Sequence, residues 1–232
     1  MIFKEKKQFS FSLFMLLLLF TAAFLLHGYF QTADTPEEVY YVDTAEKKVA
    51  FTFEILWEKG YLDETLQLLE KENLEVTFFL TGEWLNKNSE SVDDILNYGH
   101  DIGNHSMSHR SFILMSQGEI RQEIDSFTQL LEEEHDYMAH MFRPPFGEYN
   151  NLIVQTAAQK GYTTVLWSIE SLDHVLEDAG KVKERIEKQL HPGAIINFRV
   201  NSKESYLSLP GIIKEIRERG YEIVTLPSLL EK

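Results

Sequence analysis

The 232-residue chain contains no cysteine. That absence removes disulfide scaffolds, Cys-ligated zinc, iron–sulfur clusters and thiol nucleophiles together. Basic residues are also scarce: 22 Lys and Arg stand against 37 Asp and Glu, for a net charge of −15. A chain of that sign lacks the clustered cations that phosphate backbones and anionic headgroups require, which argues against nucleic acid as a partner. No G-x-G-x-x-G or P-loop follows any strand-like run, so the nucleotide-binding open sheets lose their main support. No G-x-S-x-G elbow occurs, and neither Ser106 nor Ser108 has an identifiable base partner. Internal repeats and low-complexity tracts are missing as well. What remains is a globular composition: 44% hydrophobic, 25% charged and 12% aromatic, enough apolar bulk for one sizeable core.

One long apolar run is present. Lys4, Lys6 and Lys7 lie in a short basic segment, 1–8, expected in the cytoplasm. Residues 9–30 follow, and from Phe11 to Leu26 only Ser12 and Thr21 interrupt Leu, Phe, Ala and Met. The stretch reaches about 20 residues, enough to cross a bilayer of ~30 Å. We expect one N-terminal transmembrane helix anchoring the chain in the cell membrane, with the following domain outside. The alternative is a secreted product: Ala33 suits the last position before a signal-peptide cut, although Gln31 fits poorly two residues earlier.

Residues 31–47 read as a linker and incoming strand, and 48–232 as the folded domain. Strand-type runs at 48–53, 76–80, 101–104, 141–143, 163–167, 194–198 and 222–226 alternate with helical stretches. The helices are expected at 63–72, 92–98, 116–133, 151–160, 181–189 and 209–219. Asp63 is the expected N-cap of the first helix, and Ser116 with Glu119 has the spacing of a capping box. Regular alternation implies an α/β fold with a parallel sheet, either open or closed into a barrel.

Ligand sites of parallel sheets lie past the C-terminal ends of the strands. Polar residues gather there from strands far apart in sequence: Thr52-Phe53-Glu54-Ile55, Asn104-His105-Ser106-Met107-Ser108-His109, Arg143-Pro144-Pro145-Phe146-Gly147, Trp167-Ser168-Ile169-Glu170 through Asp173-His174, and Asn197-Phe198-Arg199. Two histidines four apart on a helical turn point the same way and can hold one zinc ion as neutral imidazoles. The double proline fixes the backbone, so Arg143 can be held to meet a carboxylate bidentately. Trp167 reads equally as a core aromatic or as part of a substrate cleft.

The order T-F-[acid], H-S-x-x-H, R-P-P-x-G, W-S-x-[acid]-x-x-D resembles the polysaccharide deacetylases, carbohydrate esterases with a NodB-type domain. The resemblance runs over about 49–229. The stretch T-F-E-I-L-W and the Leu209-Pro210 tail are most similar to the sporulation-associated branch of bacilli, where the family's T-F-D-D-G reads T-F-D-I-S-W.

The resemblance implies a distorted (β/α) barrel that removes N-acetyl groups from peptidoglycan or chitin-like glycan. It also implies a divalent metal, zinc first, held by two His and one Asp. A second Asp serves as base and a His as acid. Carried over, His105 and His109 fall on the metal histidines, Glu54 on the base, and Arg143 on the arginine that orients it. Asp173, and with less support Glu170, fall on the acids that tune the catalytic His. Pro145, Trp167 and Arg199 fall on the substrate side of the cleft. Two positions depart from the pattern. Ile55 stands where the metal Asp belongs, and Ile binds no metal, so the ion is weakly held or absent. Arg199 stands where the acid His belongs, and a guanidinium gives up no proton near neutrality. His174, beside Asp173, is a candidate replacement. Two functions follow: a metal-dependent de-N-acetylase with altered chemistry, or a pseudoenzyme that binds glycan without turnover. The sequence does not speak to oligomeric state.

Overall fold

The computed structural model describes residues 36–231. The expected basic segment and apolar run, 1–30, lie outside the described residues. Among the described residues no helix is long and apolar enough to cross a membrane.

Strands and helices alternate along the chain: β1 (Lys48–Ile55), α1 (Leu62–Lys71), β2 (Thr77–Leu80), α2 (Gly82–Leu85), α3 (Ser89–Asn97), β3 (Asp101–Asn104), α4 (Gln117–His135), β4 (Met141–Phe142), α5 (Asn151–Gln159), β5 (Thr163–Thr164), β6 (Ile169–Glu170), α6 (Ala179–Gln189), β7 (Ile195–Arg199), α7 (Lys203–Glu218), β8 (Glu222–Val224) and α8 (Leu226–Leu230). A 3₁₀ turn, Pro145–Gly147, follows β4. Every strand pairing is parallel, in the order β5-β4-β3-β2-β1-β7-β6, with β8 on the first half of β1. Parallel neighbours need long crossovers, which the helices supply.

β1 is buried on both faces, as a central strand under helices must be. Its side chains alternate. Val49, Phe51, Phe53 and Ile55 join the large apolar cluster shared with the helices, while Ala50 joins a smaller cluster inside the curl of the sheet. β2 repeats the pattern, with Phe78 and Leu80 on the helix side and Phe79 inside. Phe79 fits because residue 103 is glycine: a Cβ there would come within 2.4 Å of the ring.

β5 and β6, at the two ends of the strand order, belong to one run of chain. The Val165 amide donates to Phe142 O at 2.8 Å and the Ser168 amide to Ile195 O at 3.1 Å, so the run leaves one edge and arrives at the other. The incoming segment lies between, through bridges of Val39 to Val165 and Tyr41 to Ala194. The result is a curled, parallel α/β half-barrel.

Several local expectations need correction. The strand expected at 163–167 ends at Thr164, because Leu166 turns to bond the incoming Val39 and Ser168 reaches the other edge of the sheet. Tyr61 occupies the cap of α1 without a side-chain bond, and Asp63 sits inside the first turn, where the helix dipole favours a carboxylate. The helix expected at 209–219 starts earlier than that reading: α7 begins at Lys203, capped by Ser202, and runs through Pro210 at the loss of one backbone bond. The short helices α2 and α8 escaped the sequence reading. Thr81 and Thr225 cap them by accepting from Trp84 N at 3.3 Å and Ser228 N at 3.2 Å. The capping box at Ser116 and Glu119 is formed, with both reciprocal bonds.

Candidate functional site

Strand parity decides which side chains meet. β1 pairs in register with β7, so Thr52 lies beside Asn197 and Glu54 beside Arg199. Glu54 Oε1 accepts from Asn197 Nδ2 at 3.0 Å. Asn197 Oδ1 accepts in turn from Arg143 Nη1 and, at 3.2 Å, from the Thr52 hydroxyl. Arg143 Nη1 is 3.6 Å from Glu54 Oε1. The bidentate carboxylate grip expected of Arg143 is absent. Its Nε and Nη2 donate to the carbonyls of Val165 and Leu166, at 3.2 and 3.0 Å, and Phe79 and Trp167 flank it at 4.0 and 5.1 Å. Those carbonyls are the unpaired middle of the run that links the two sheet edges. One fully buried guanidinium therefore satisfies a gap in the fold and faces Glu54 at once.

Electrostatics follow from this packing. Burial pushes the Glu54 carboxyl up, but His105, Arg143, Arg199 and the Asn197 amide outweigh it and hold the group below its usual range. Burial lowers Arg143 to about 10, which leaves it charged at neutral pH.

His105 and His109 come together with ring centroids 4.8 Å apart. They sit on a loop and not on the helical turn expected from their spacing. Ser106 and His109 both take left-handed backbone conformations, with φ of 69° and 54°. Such conformations cost about 1 kcal/mol or more for a non-glycine residue. Short bonds hold the loop: Asn104 Oδ1 accepts from Ser106 N at 2.8 Å and Ser106 Oγ from His109 N at 2.9 Å. Buried Glu123 on α4 accepts from Ser108 N at 2.9 Å and Ser108 Oγ at 2.8 Å. His105 Nδ1 meets Arg143 O at 2.7 Å, so that nitrogen carries the proton and Nε2 is left with its lone pair. His105 Nε2 and His109 Nδ1 are buried without a partner among the described residues. Burial keeps both imidazoles neutral near pH 7, with His109 lowered to about 4.

The β6–β7 side is looser. Asp173 Oδ2 accepts from the backbone amide of Arg199 at 2.8 Å, and its other oxygen is 3.6 Å from half-exposed His174. Among the described residues the Arg199 guanidinium has no carboxylate within 4.0 Å, and its Nε is buried without a partner. Glu170 pairs in register with Asn197, and burial followed by repulsion from Glu54 raises it to about 7. Trp167 is half-buried against Arg143. Pro145 is buried, whereas its neighbour Phe146 is exposed.

Sequence reasoning gave no role to Asn197, Trp57 or Phe146. Asn197 was within reach: it lies two residues before Arg199 on a strand and so shares its face. Trp57 and Phe146 carried no such signal, because loop side chains have no period to place them.

The metal of the resemblance needs three donors. The two unpartnered imidazole nitrogens suit a metal, but Ile55, 1% exposed, belongs to the apolar cluster with Leu80, Trp84 and Leu85. Glu54 is already engaged by Asn197 and Arg143. Among the described residues no three His, Asp or Glu side chains are grouped to hold an ion. The residues present do not make the three-donor set.

The sequence model described as Polysaccharide deacetylase matches residues 41–165, more than half of the chain. The chain belongs to the polysaccharide deacetylase family. A peptidoglycan-N-acetylglucosamine deacetylase of Bacillus cereus is 32% identical over 202 residues, covering 82% of this chain and 91% of that protein. YlxY of Bacillus subtilis is 28% identical over 197 residues, and the matched region spans 85% of this chain but only 61% of that relative. Among solved structures, BA3943 of Bacillus anthracis, described as a CE4 family pseudoenzyme, superposes with a TM-score of 0.82 at 26% identity. That match covers 84% of this chain and 69% of the other. A mutant of BA3943 is described as having restored enzymatic activity.

Proposed function

We propose that this deacetylase-family domain binds N-acetylated cell-wall glycan, peptidoglycan or a chitin-like chain, without turning it over. One observation carries the reading: residue 55 is an isoleucine in the apolar layer and supplies no third donor to the histidine pair, while nearby Glu54 is already engaged by Asn197 and Arg143. Arg199 supports it, because a permanent cation stands where the family's proton donor belongs. The likeness to BA3943 points the same way. The N-acetylated glycan as ligand rests on the family and on the B. cereus relative. Attachment to the outer face of the cell membrane through 9–30 is part of this proposal, supported by the basic flank and the apolar run. So is the link to sporulation, which rests on T-F-E-I-L-W and the Leu209-Pro210 tail.

A second reading has its own support. Glu54 is an ionised carboxylate beside two neutral imidazoles, and Glu170, at about 7, can carry a proton near neutrality. In that reading Glu54 is the base and Glu170 the acid of amide hydrolysis. Acetate release from N-acetylated chitooligosaccharides and peptidoglycan fragments, with zinc or cobalt supplied and an active relative alongside, separates the two. No release beside a working control supports the binding role. Release that disappears in His105→Ala and Glu170→Gln establishes the hydrolase.

A further inference from the structure

A metal ion does two things at a site of this kind: it gathers donors, and it sets positive charge beside carboxylates and imidazoles. The donor set is incomplete here, but the positive charge is present in the chain itself. Arg199 ends β7 in register with Glu54 on the neighbouring strand. Asp173 fixes its backbone by accepting from the amide at 2.8 Å. Among the described residues its guanidinium has no carboxylate within 4.0 Å, and Nε is buried without a partner. The charge is therefore not consumed in an ion pair, and it acts on the whole cluster. Burial pushes Glu54 up, while His105, Arg143 and Arg199 together hold it below its usual range. Burial and then Glu54 raise Glu170, and Arg199 opposes the rise. Burial lowers both His105 and His109, and Arg199 lowers them further.

Bulk does not close the histidine pair to an ion. The Trp57 and Phe146 rings lean on His109, with centroids 5.5 and 4.7 Å away, but they are 62% and 61% exposed, so the pair lies just beneath the surface. Donor chemistry does not close it either. His105 Nε2 keeps its lone pair, and two neutral imidazoles still make a weak, exchangeable site. What stands against an ion is a guanidinium that gives up no proton. We propose that Arg199 is a built-in cation that supplies the positive charge of the family's metal and excludes divalent ions from the histidine pair. This rests on the non-catalytic reading above and names the residue that enforces it. Repulsion between a divalent ion and a fixed unit charge several Å away inside a protein corresponds to about tenfold or more in affinity.

The test titrates zinc chloride and cobalt chloride into the metal-stripped full chain, followed by calorimetry and by the visible absorption of bound cobalt. Arg199→Met keeps the apolar stem and removes the charge, and is expected to bind zinc at least about tenfold more tightly than the parent. Adding His105→Ala to it should abolish the gain, which places the ion at the pair. Arg199→Lys keeps the charge and is expected to stay within about threefold of the parent. Arg199→Gln serves as a second neutral variant, and a cooperative thermal melt in chelator shows that each variant is folded. If neither neutral variant binds more tightly than the parent, or if Arg199→Lys gains as much as Arg199→Met, the charge role is overturned and the non-catalytic reading stands on Ile55 alone. If the parent itself binds zinc tightly through His105, that reading fails and the exclusion with it.

Discussion

The two sides of the cleft meet at Glu54 but are held in different ways. On the β3–β4 side, His105 is pinned by a carbonyl, His109 by the Ser106 hydroxyl, and Arg143 by two carbonyls and Asn197. On the β6–β7 side, Arg199 has no carboxylate partner among the described residues, Asp173 is tied to a backbone amide, and Glu170 keeps a raised pKa. Arg143 and Asn197 are parts of the core as much as of the cleft. Removing them would leave buried backbone carbonyls and a buried carboxylate unpaired. The presence of Glu54, Arg143 and the histidine loop is therefore a statement about folding first, and says little about turnover.

The strongest way to break this comparison is Arg143→Met, which leaves Glu54 buried and uncompensated. A loss of roughly 3–5 kcal/mol in urea denaturation is expected, much of it recovered by Glu54→Gln in the same chain. If Arg143→Met costs almost nothing, the structural role assigned to that side is wrong.

The pH dependence sharpens the contrast, because the two sides carry opposite slopes. His109 falls from 6.5 to about 4 on folding, so the unfolded chain binds the extra proton between those values. Stability then rises with pH across about 4 to 6.5 and is lost as pH falls. Glu170 rises from 4.5 to about 7, so the folded chain holds the extra proton, and stability falls as pH rises from about 4.5 to 7. Each contributes up to about 3 kcal/mol at full shift. His109→Gln should flatten the rise with pH, leaving the part carried by His100 and His105, which burial also lowers, and Glu170→Gln should make the rise steeper. Denaturation curves between pH 4.5 and 7.5 that keep one shape in both variants would refute the assignment.

The smallest effect tests the join between the sides. The Thr52 hydroxyl donates to Ile196 O at 3.1 Å and contacts Asn197 Oδ1. Thr52→Val should cost about 1 kcal/mol in the same assay, since Arg143 still holds Asn197.

Much of this protein was legible in its residues. Alternating apolar runs predicted the parallel α/β fold, because a central strand reads as continuous Val, Ala and Phe and its crossovers as amphipathic helices. The motifs located Glu54, His105, His109 and Arg143 at one rim, and the odd residues Ile55 and Arg199 stood out against them. Some features were not legible for a physical reason. The helical turn expected for the histidine pair fails because side-chain bonds from Asn104 and Ser106 stabilise left-handed residues that spacing cannot reveal. The bidentate carboxylate expected of Arg143 is replaced by carbonyls left unpaired where one run of chain crosses between the two edges of the sheet.

What the sequence alone determined is the chemistry available: which acids, imidazoles and guanidinium groups exist, and that position 55 offers no ligand. Only the tertiary structure decided which of them meet. Whether Ile55 faces the helices or the cleft, whether Asn197 bridges Glu54 to Arg143, and whether Trp57 stands in water are set by strand register and loop closure. Those depend on partners as far apart as 143 residues in the chain, as between Glu54 and Asn197. Local pattern carries no record of such distances, because the contacts exist only once the sheet has curled.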